Sequence, residues 1–143
     1  MATENAQAIY PMPLGAGFDA LGKLTDTVSY LRPIVETKAN ISAKYELGTS
    51  TFNFVANHTG SYKDSGGTAS ALPRDVGTQE TYDLHYNLSL ENVSEDLAES
   101  AVWVSIYNAT DEDPPFARLD LNYDPYTHNP FGRIIKVGVR HKF

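Results

Sequence analysis

Carboxylates are the most concentrated reactive groups in the chain: Asp111, Glu112 and Asp113 stand in a row, and Asp120 and Asp124 follow shortly after. Grouped carboxylates are what a hard cation such as calcium takes as ligands. Their spacing does not match an EF-hand, and prolines interleave them, so a solvated loop in which Asp and Pro set the turns is the better reading. His58, His85, His128 and His141 are well separated, lack the spacing of a helix-borne zinc pair, and have no cysteine to complete a thiolate site. They read as isolated polar-face or loop side chains. Gly15-Ala-Gly17 and Gly66-Gly67 do not continue into a phosphate loop, and no Gly-x-Ser-x-Gly elbow presents a nucleophile. The sequence therefore predicts no enzyme, no cofactor and no metal site.

Composition narrows the partners. A net charge of -7 argues against nucleic acid, because phosphate binding needs a surplus of Lys and Arg. With 41% hydrophobic and 20% charged residues the chain has the means to fold, and a mean hydropathy of -0.35 does not describe a helical membrane protein. No run approaches the ~18 apolar residues of a spanning helix. A transmembrane β-strand escapes that test, since about 9–11 residues suffice and only alternate ones face lipid. The N-terminal residues Met1 to Ala8 carry neither a basic nor an apolar region of an export signal. A membrane-barrel reading therefore expects this chain to be a piece of a longer exported precursor.

The elements that must position any site are strands. From Val35 to Leu47, apolar or small residues alternate with Glu36, Lys38, Asn40, Ser42, Lys44 and Glu46, a period of two that means strand. Gly48-Thr49-Ser50 makes a short turn, and Phe52, Phe54, Ala56, His58 and Tyr62 resume the alternation, predicting a long hairpin. Residues 63–78 have loop chemistry, with Gly66-Gly67, Pro73 and Gly77. A third strand runs from Gln79 to Glu91, with Tyr82, Leu84, Tyr86, Leu88 and Leu90 on one face. A brief acidic turn, Ser94-Glu95-Asp96, leads to Ala101–Tyr107; a long loop spans Asn108 to Gly132; a last strand runs from Arg133 to Phe143. A weaker strand, Lys23 to Leu31, precedes Arg32-Pro33, and residues 1–22 form an undefined segment. Strands this long, joined by turns that alternate short and long, have the layout of an outer-membrane barrel.

Asn108-Ala-Thr-Asp-Glu-Asp-Pro-Pro-Phe116, then Tyr123-Asp-Pro125, then Asn129-Pro-Phe-Gly-Arg133 and the strand to Phe143, together resemble the C-terminal barrel region of TonB-dependent outer-membrane receptors. Pro33 to Tyr45 is similar to an upstream strand of the same region. The resemblance covers about residues 33 to 143, and it makes Asn108, Asp111, Glu112, Asp113, Pro114, Pro115, Gly132 and Arg133 a family loop motif. Lys136, Gly138, His141 and Phe143 are similar to the terminal signal that barrel-assembly machinery reads, with His141 where an apolar residue is preferred. A strand with a free edge can pair with that machine by β-augmentation.

The resemblance implies an all-β chain of long antiparallel strands in a meander, residues 23–143 supplying five or six strands of a larger transmembrane barrel. It implies a place in the bacterial outer membrane, with lipid, the assembly machinery and the rest of a receptor (plug and preceding strands) as partners, and TonB reached only through that preceding part. Such receptors take up scarce ligands: siderophores, metal chelates or oligosaccharides. This portion would close the barrel and would not transport alone. Two alternatives are a small autonomous or oligomeric outer-membrane barrel and a soluble β-sandwich binding module.

Overall fold

The structure, a computed structural model, describes residues 21–24, 34–64 and 72–142. Most of the undefined segment 1–22, the later part of the expected strand Lys23 to Leu31, Arg32-Pro33, Gly66-Gly67 and Phe143 lie outside the described residues.

The described residues are all-β, and no α-helix occurs among them. Eight strands follow in chain order: β1 (Lys23–Leu24), β2 (Lys38–Leu47), β3 (Ser50–Thr59), β4 (Tyr62–Asp64), β5 (Arg74–Val76), β6 (Gln79–Ser89), β7 (Ala101–Tyr107) and β8 (Ile134–Arg140). Five of them form one antiparallel sheet in the order β2-β3-β6-β7-β8, so each strand pairs with the next long strand in the chain. This is the expected meander. It is an open sheet: β2 and β8 are its edges, and it does not close into a barrel.

The β2–β3 hairpin turns on Gly48 and Thr49, with Leu47 paired to Ser50. Gly48 has φ +57, the positive value that a two-residue hairpin of type II′ requires at its first central position. The β6–β7 connection is longer than a brief turn. It includes a 3-10 helix, Glu95–Leu97, and is closed by Leu90 N–H donating to the Ser100 carbonyl at 2.9 Å. The acidic residues Glu95 and Asp96 fall in the first turn of that helix, where its backbone N–H groups favour negative charge.

Three expectations are corrected. The stretch expected to be loop, residues 63–78, supplies β5 and most of β4 to a second, three-stranded sheet, β1-β4-β5, with β1 parallel to β4 and β4 antiparallel to β5. Alternation through Tyr62 suggested one continuous strand, yet β3 ends at Thr59. At Gly60 the chain turns away, and its N–H donates to the Thr37 carbonyl at 2.8 Å. A β-carbon there would fall against the Thr37 side chain, which explains glycine at the break. Of the weak strand expected from Lys23, the two described residues belong to this small sheet and not to the large one.

The buried hydrophobic cluster is small and lies off the large sheet: Tyr62, Val76 and Ala117, with Val35 and Leu119 packed against it. The small sheet and the β7–β8 loop thus share a core of their own, a cap.

Candidate functional site

The large sheet has two chemically distinct faces, as period-two side chains dictate. Register aligns Ala43, Phe54, Leu84, Ile106 and Ile135 in one row and Tyr45, Phe52, Tyr86, Val104 and Val137 in the next. A third row is Leu47, Ser50, Leu88, Val102 and Val139. One face is therefore apolar across all five strands, interrupted in these rows only by Ser50 at the hairpin turn. It is also uncovered: Ile41 is 67% exposed, Tyr45 62%, Val137 71% and Val139 73%. With Leu47, Phe52, Phe54, Leu84 and Ile135, these side chains expose on the order of 1,000 Å², beyond the roughly 300–600 Å² largest patch of a soluble monomer.

Aromatic rings concentrate on this face. Phe52 packs on Tyr86 with centroids 4.8 Å apart and on Tyr45 at 6.5 Å, while Phe54 stacks on Tyr82 at 5.9 Å. The Tyr86 hydroxyl meets Ser50 Oγ at 3.0 Å, toward the short hairpin turn. Polar pairs bound the apolar field. At one end His58 Nδ1 lies 3.2 Å from Glu80 Oε1, and at the other Ser100 Oγ lies 2.6 Å from His141 Nδ1.

The opposite face carries the row Lys44, Asn53, His85, Ser105, Lys136 and the row Glu46, Thr51, Asn87, Trp103, Gly138. Its polar groups serve one another. Asn57 Nδ2 donates to Thr81 Oγ1 and Asp83 Oδ2, both at 3.3 Å, and Asp83 Oδ1 accepts from the Asn108 N–H at 2.9 Å. His85 meets Tyr107 edge-on at 5.2 Å, and Lys136 Nζ sits 5.0 Å over the same ring. Where this face meets the long loop there is a cavity of about 280 Å³, lined by Lys38, Asn57, Gln79, Tyr107, Thr127 and Asn129 among others.

The residues of the long-loop motif come together as a clasp. Asn108, buried with φ 49, uses its side-chain amide three times. It donates to the carbonyls of Glu112 at 2.9 Å and Phe131 at 3.3 Å and accepts from the Glu112 N–H at 2.9 Å. Asp111 Oδ1 accepts from the Arg133 N–H at 2.6 Å, Asp111 Oδ2 lies 3.8 Å from the Arg133 guanidinium, and the guanidinium reaches the Ala109 carbonyl at 3.3 Å. Gly132 leaves room for this, because a β-carbon there would sit 2.7 Å from Asp111 Oδ1. The two ends of a 26-residue excursion, residues 108–133, are thereby tied at the mouth of β7 and β8. Pro115 lies beside Gly77, while Asp113 is exposed.

In the terminal motif, Gly138 pairs with Trp103 across β7 and β8, and a β-carbon on it would run into the indole. Glycine is thus demanded by a tryptophan lying flat over the strand, the arrangement by which an aromatic compensates a glycine in a sheet. Lys136 is on the polar face, and His141 reaches across to Ser100. Phe143 lies outside the described residues.

The carboxylates do not converge. No group of three metal-ligating side chains occurs among the described residues. Asp111 serves Arg133; Asp124, 1% exposed, accepts the Tyr62 hydroxyl at 3.2 Å and, through Oδ1, the Tyr126 N–H at 2.9 Å. Beside it His128, expected to be an isolated loop side chain, is buried, its ring 6.0 Å from that of Tyr62 and nearly parallel to it. Burial lowers the His128 pKa, and burial together with Asp124 raises that of Tyr62. Asp64, fully buried, accepts the Arg118 N–H at 3.0 Å and lies 3.5 Å from its guanidinium. Asp124 and His128 stand out in the sequence only singly, as a loop carboxylate and an isolated histidine, and nothing there joins them to Tyr62 or pairs Asp64 with Arg118.

The chain matches no family model, no curated protein and no solved structure.

Proposed function

We propose that this chain is part of the wall of an outer-membrane β-barrel, and that its place is the C-terminal, barrel-closing portion of a TonB-dependent receptor. The supporting observation is the continuous apolar face of the large sheet, exposed over five strands, backed by a polar face whose side chains hydrogen-bond to one another. Lipid covers the first face and the aqueous interior of the barrel meets the second. Covering about 1,000 Å² of apolar surface is worth on the order of 25 kcal/mol, larger than the whole stability of a typical domain. In water that surface would drive association.

The rest of the layout supports the same reading. Strands β2, β3 and β6 have 10, 10 and 11 residues, the length a tilted spanning strand needs. Tyr45, Phe52 and Tyr86 cluster toward the short turn, suited to a membrane interface with a polar tip in the headgroups. The open edges of β2 and β8 must pair, because unpaired backbone is not tolerated in hydrocarbon. In the receptor reading their partners are the remaining strands of a barrel of about 22. In the alternative, several copies join β8 of one to β2 of the next. The role is non-catalytic in either case: the sheet bounds a ligand path, the clasped long loop stands at its outer end, and the closing strand is offered to the assembly machinery. The transported ligand, and energy from TonB, would engage parts of a receptor beyond these strands.

Cell fractionation tests the reading. The chain should enter the outer-membrane fraction, resist alkaline extraction and require detergent for monodispersity. A monomer in plain buffer with a cooperative melt would reject it.

A further inference from the structure

Segment 124–131 of the long loop forms one wall of the polar cavity, to which it contributes Thr127, Asn129 and Phe131. Three attachments hold it. Two are indifferent to pH. The Gln79 side chain donates to the Asn129 carbonyl at 3.0 Å and accepts from the Asn129 N–H at 3.2 Å, while the Asn108 amide donates to the Phe131 carbonyl at 3.3 Å. The third is the Tyr62–Asp124–His128 group, which contains an ionisable imidazole.

His128 is 3% exposed, and neither of its ring nitrogens has a hydrogen-bond partner. Such a buried ring is tolerable while neutral; an added charge there would need an acceptor or water. The ionisable groups that bear on the ring are Asp124 on its own turn, Lys38 from β2 and Tyr62 from β4. Asp124 favours the new charge through space, while its two oxygens already accept from the Tyr62 hydroxyl and the Tyr126 N–H. Lys38 opposes it outright. Asp64, also on β4, is turned to Arg118.

We propose that His128 is a proton-operated latch: neutral, it keeps segment 124–131 closed over the polar cavity, and on taking a proton from solvent it leaves Tyr62 and lets the segment open. The cap alone carries this, so it stands whether or not the apolar face meets lipid. Desolvation holds the His128 pKa below its ordinary 6.5, with Asp124 opposing and Lys38 adding. The open state therefore binds more protons than the closed one at pH values just under 6.5. Closure is fully favoured above that value and is lost as pH falls through the closed-state pKa.

Hydrogen exchange of the full chain in detergent, at about pH 8 and about pH 5 and corrected for intrinsic rates, tests the latch. Backbone amides of 124–131 should exchange roughly tenfold faster at the acid pH, and those of the 90–100 connection should not change. The variant His128→Leu, which keeps an apolar side chain against Tyr62 and cannot titrate, should abolish the difference. Equal exchange at both pH values, or a pH effect that survives in H128L, overturns the proposal. If H128L does not fold, an imidazole nitrogen NMR titration of the unaltered chain decides. A His128 pKa at or above 6.5, or no concerted shift of the Thr127 and Asn129 amides, also overturns it.

Discussion

On the large sheet, Ile41, Tyr45, Leu47, Val137 and Val139 stand open, while in the cap Tyr62, Val76 and Ala117 are closed over by short strands and a loop. Polar burial and apolar exposure fall in different regions. Asp64, Asp124 and His128 are among the most buried side chains, and they lie in the cap, whereas the sheet has the largest apolar surface and leaves it bare. The cap buries its carboxylates with hydrogen-bond partners and His128 without one. The sheet leaves a five-strand apolar face exposed.

That contrast can be broken by placing charge on each side of the sheet. Leu84→Arg, on the apolar face, should cost about 2–4 kcal/mol of stability in bilayers, the range for a cation at the lipid side of a barrel. Ser42→Arg, on the polar face of the exposed edge strand β2, should cost less than about 0.5 kcal/mol. Urea unfolding in lipid vesicles measures both, and equal small effects would mean that the apolar face meets water.

The cap side is sharpened next. Asp64→Ala removes the acceptor of the Arg118 N–H and the carboxylate 3.5 Å from its guanidinium, and should cost about 1.5–3 kcal/mol. Hydrogen exchange should rise in residues 62–64, 74–76 and 117–128 and stay unchanged in β6 and β7.

Two glycines then separate packing from backbone. Gly138→Ala drives a methyl into the Trp103 indole and should cost about 1–3 kcal/mol. Combining it with Trp103→Ala should recover part of that loss, so a double-mutant cycle reads the contact directly. Gly48→Ala meets open space but keeps a positive φ, so its cost should be near 1 kcal/mol and independent of Trp103. Denaturant midpoints measured on the three single variants and on the two doubles with Trp103→Ala check both statements.

The same contrast explains what the sequence made legible. Period-two alternation identified β2, β3, β6, β7 and β8, and the observed bounds differ by a few residues at the ends: β2 starts at Lys38, not Val35, and the last strand is Ile134–Arg140. The apolar and polar faces could be read the same way, because register follows when each strand alternates. The cap could not. Strands β4 and β5 have three residues each, too short to show a period. Its decisive contacts, Tyr62 to Asp124 and Asp64 to Arg118, join residues 62 and 54 positions apart. No local pattern marks such a pair. The loop motif was visible as residue types, but its physical sense, Asn108 and Asp111 tying residues 108–112 to 131–133, needed coordinates.

The central claim is that lipid covers the apolar face. The chain has no cysteine, so single-cysteine variants can carry a spin label at chosen positions without background. Labels at residues 41, 43 and 45 of β2 and at 135, 137 and 139 of β8 should relax strongly with oxygen, which concentrates in lipid. Labels at 42, 44 and 136 should relax strongly with a water-soluble nickel chelate. An alternation of period two along both strands in reconstituted vesicles is the expected result. Nickel accessibility that is high and uniform at all nine positions would contradict the account.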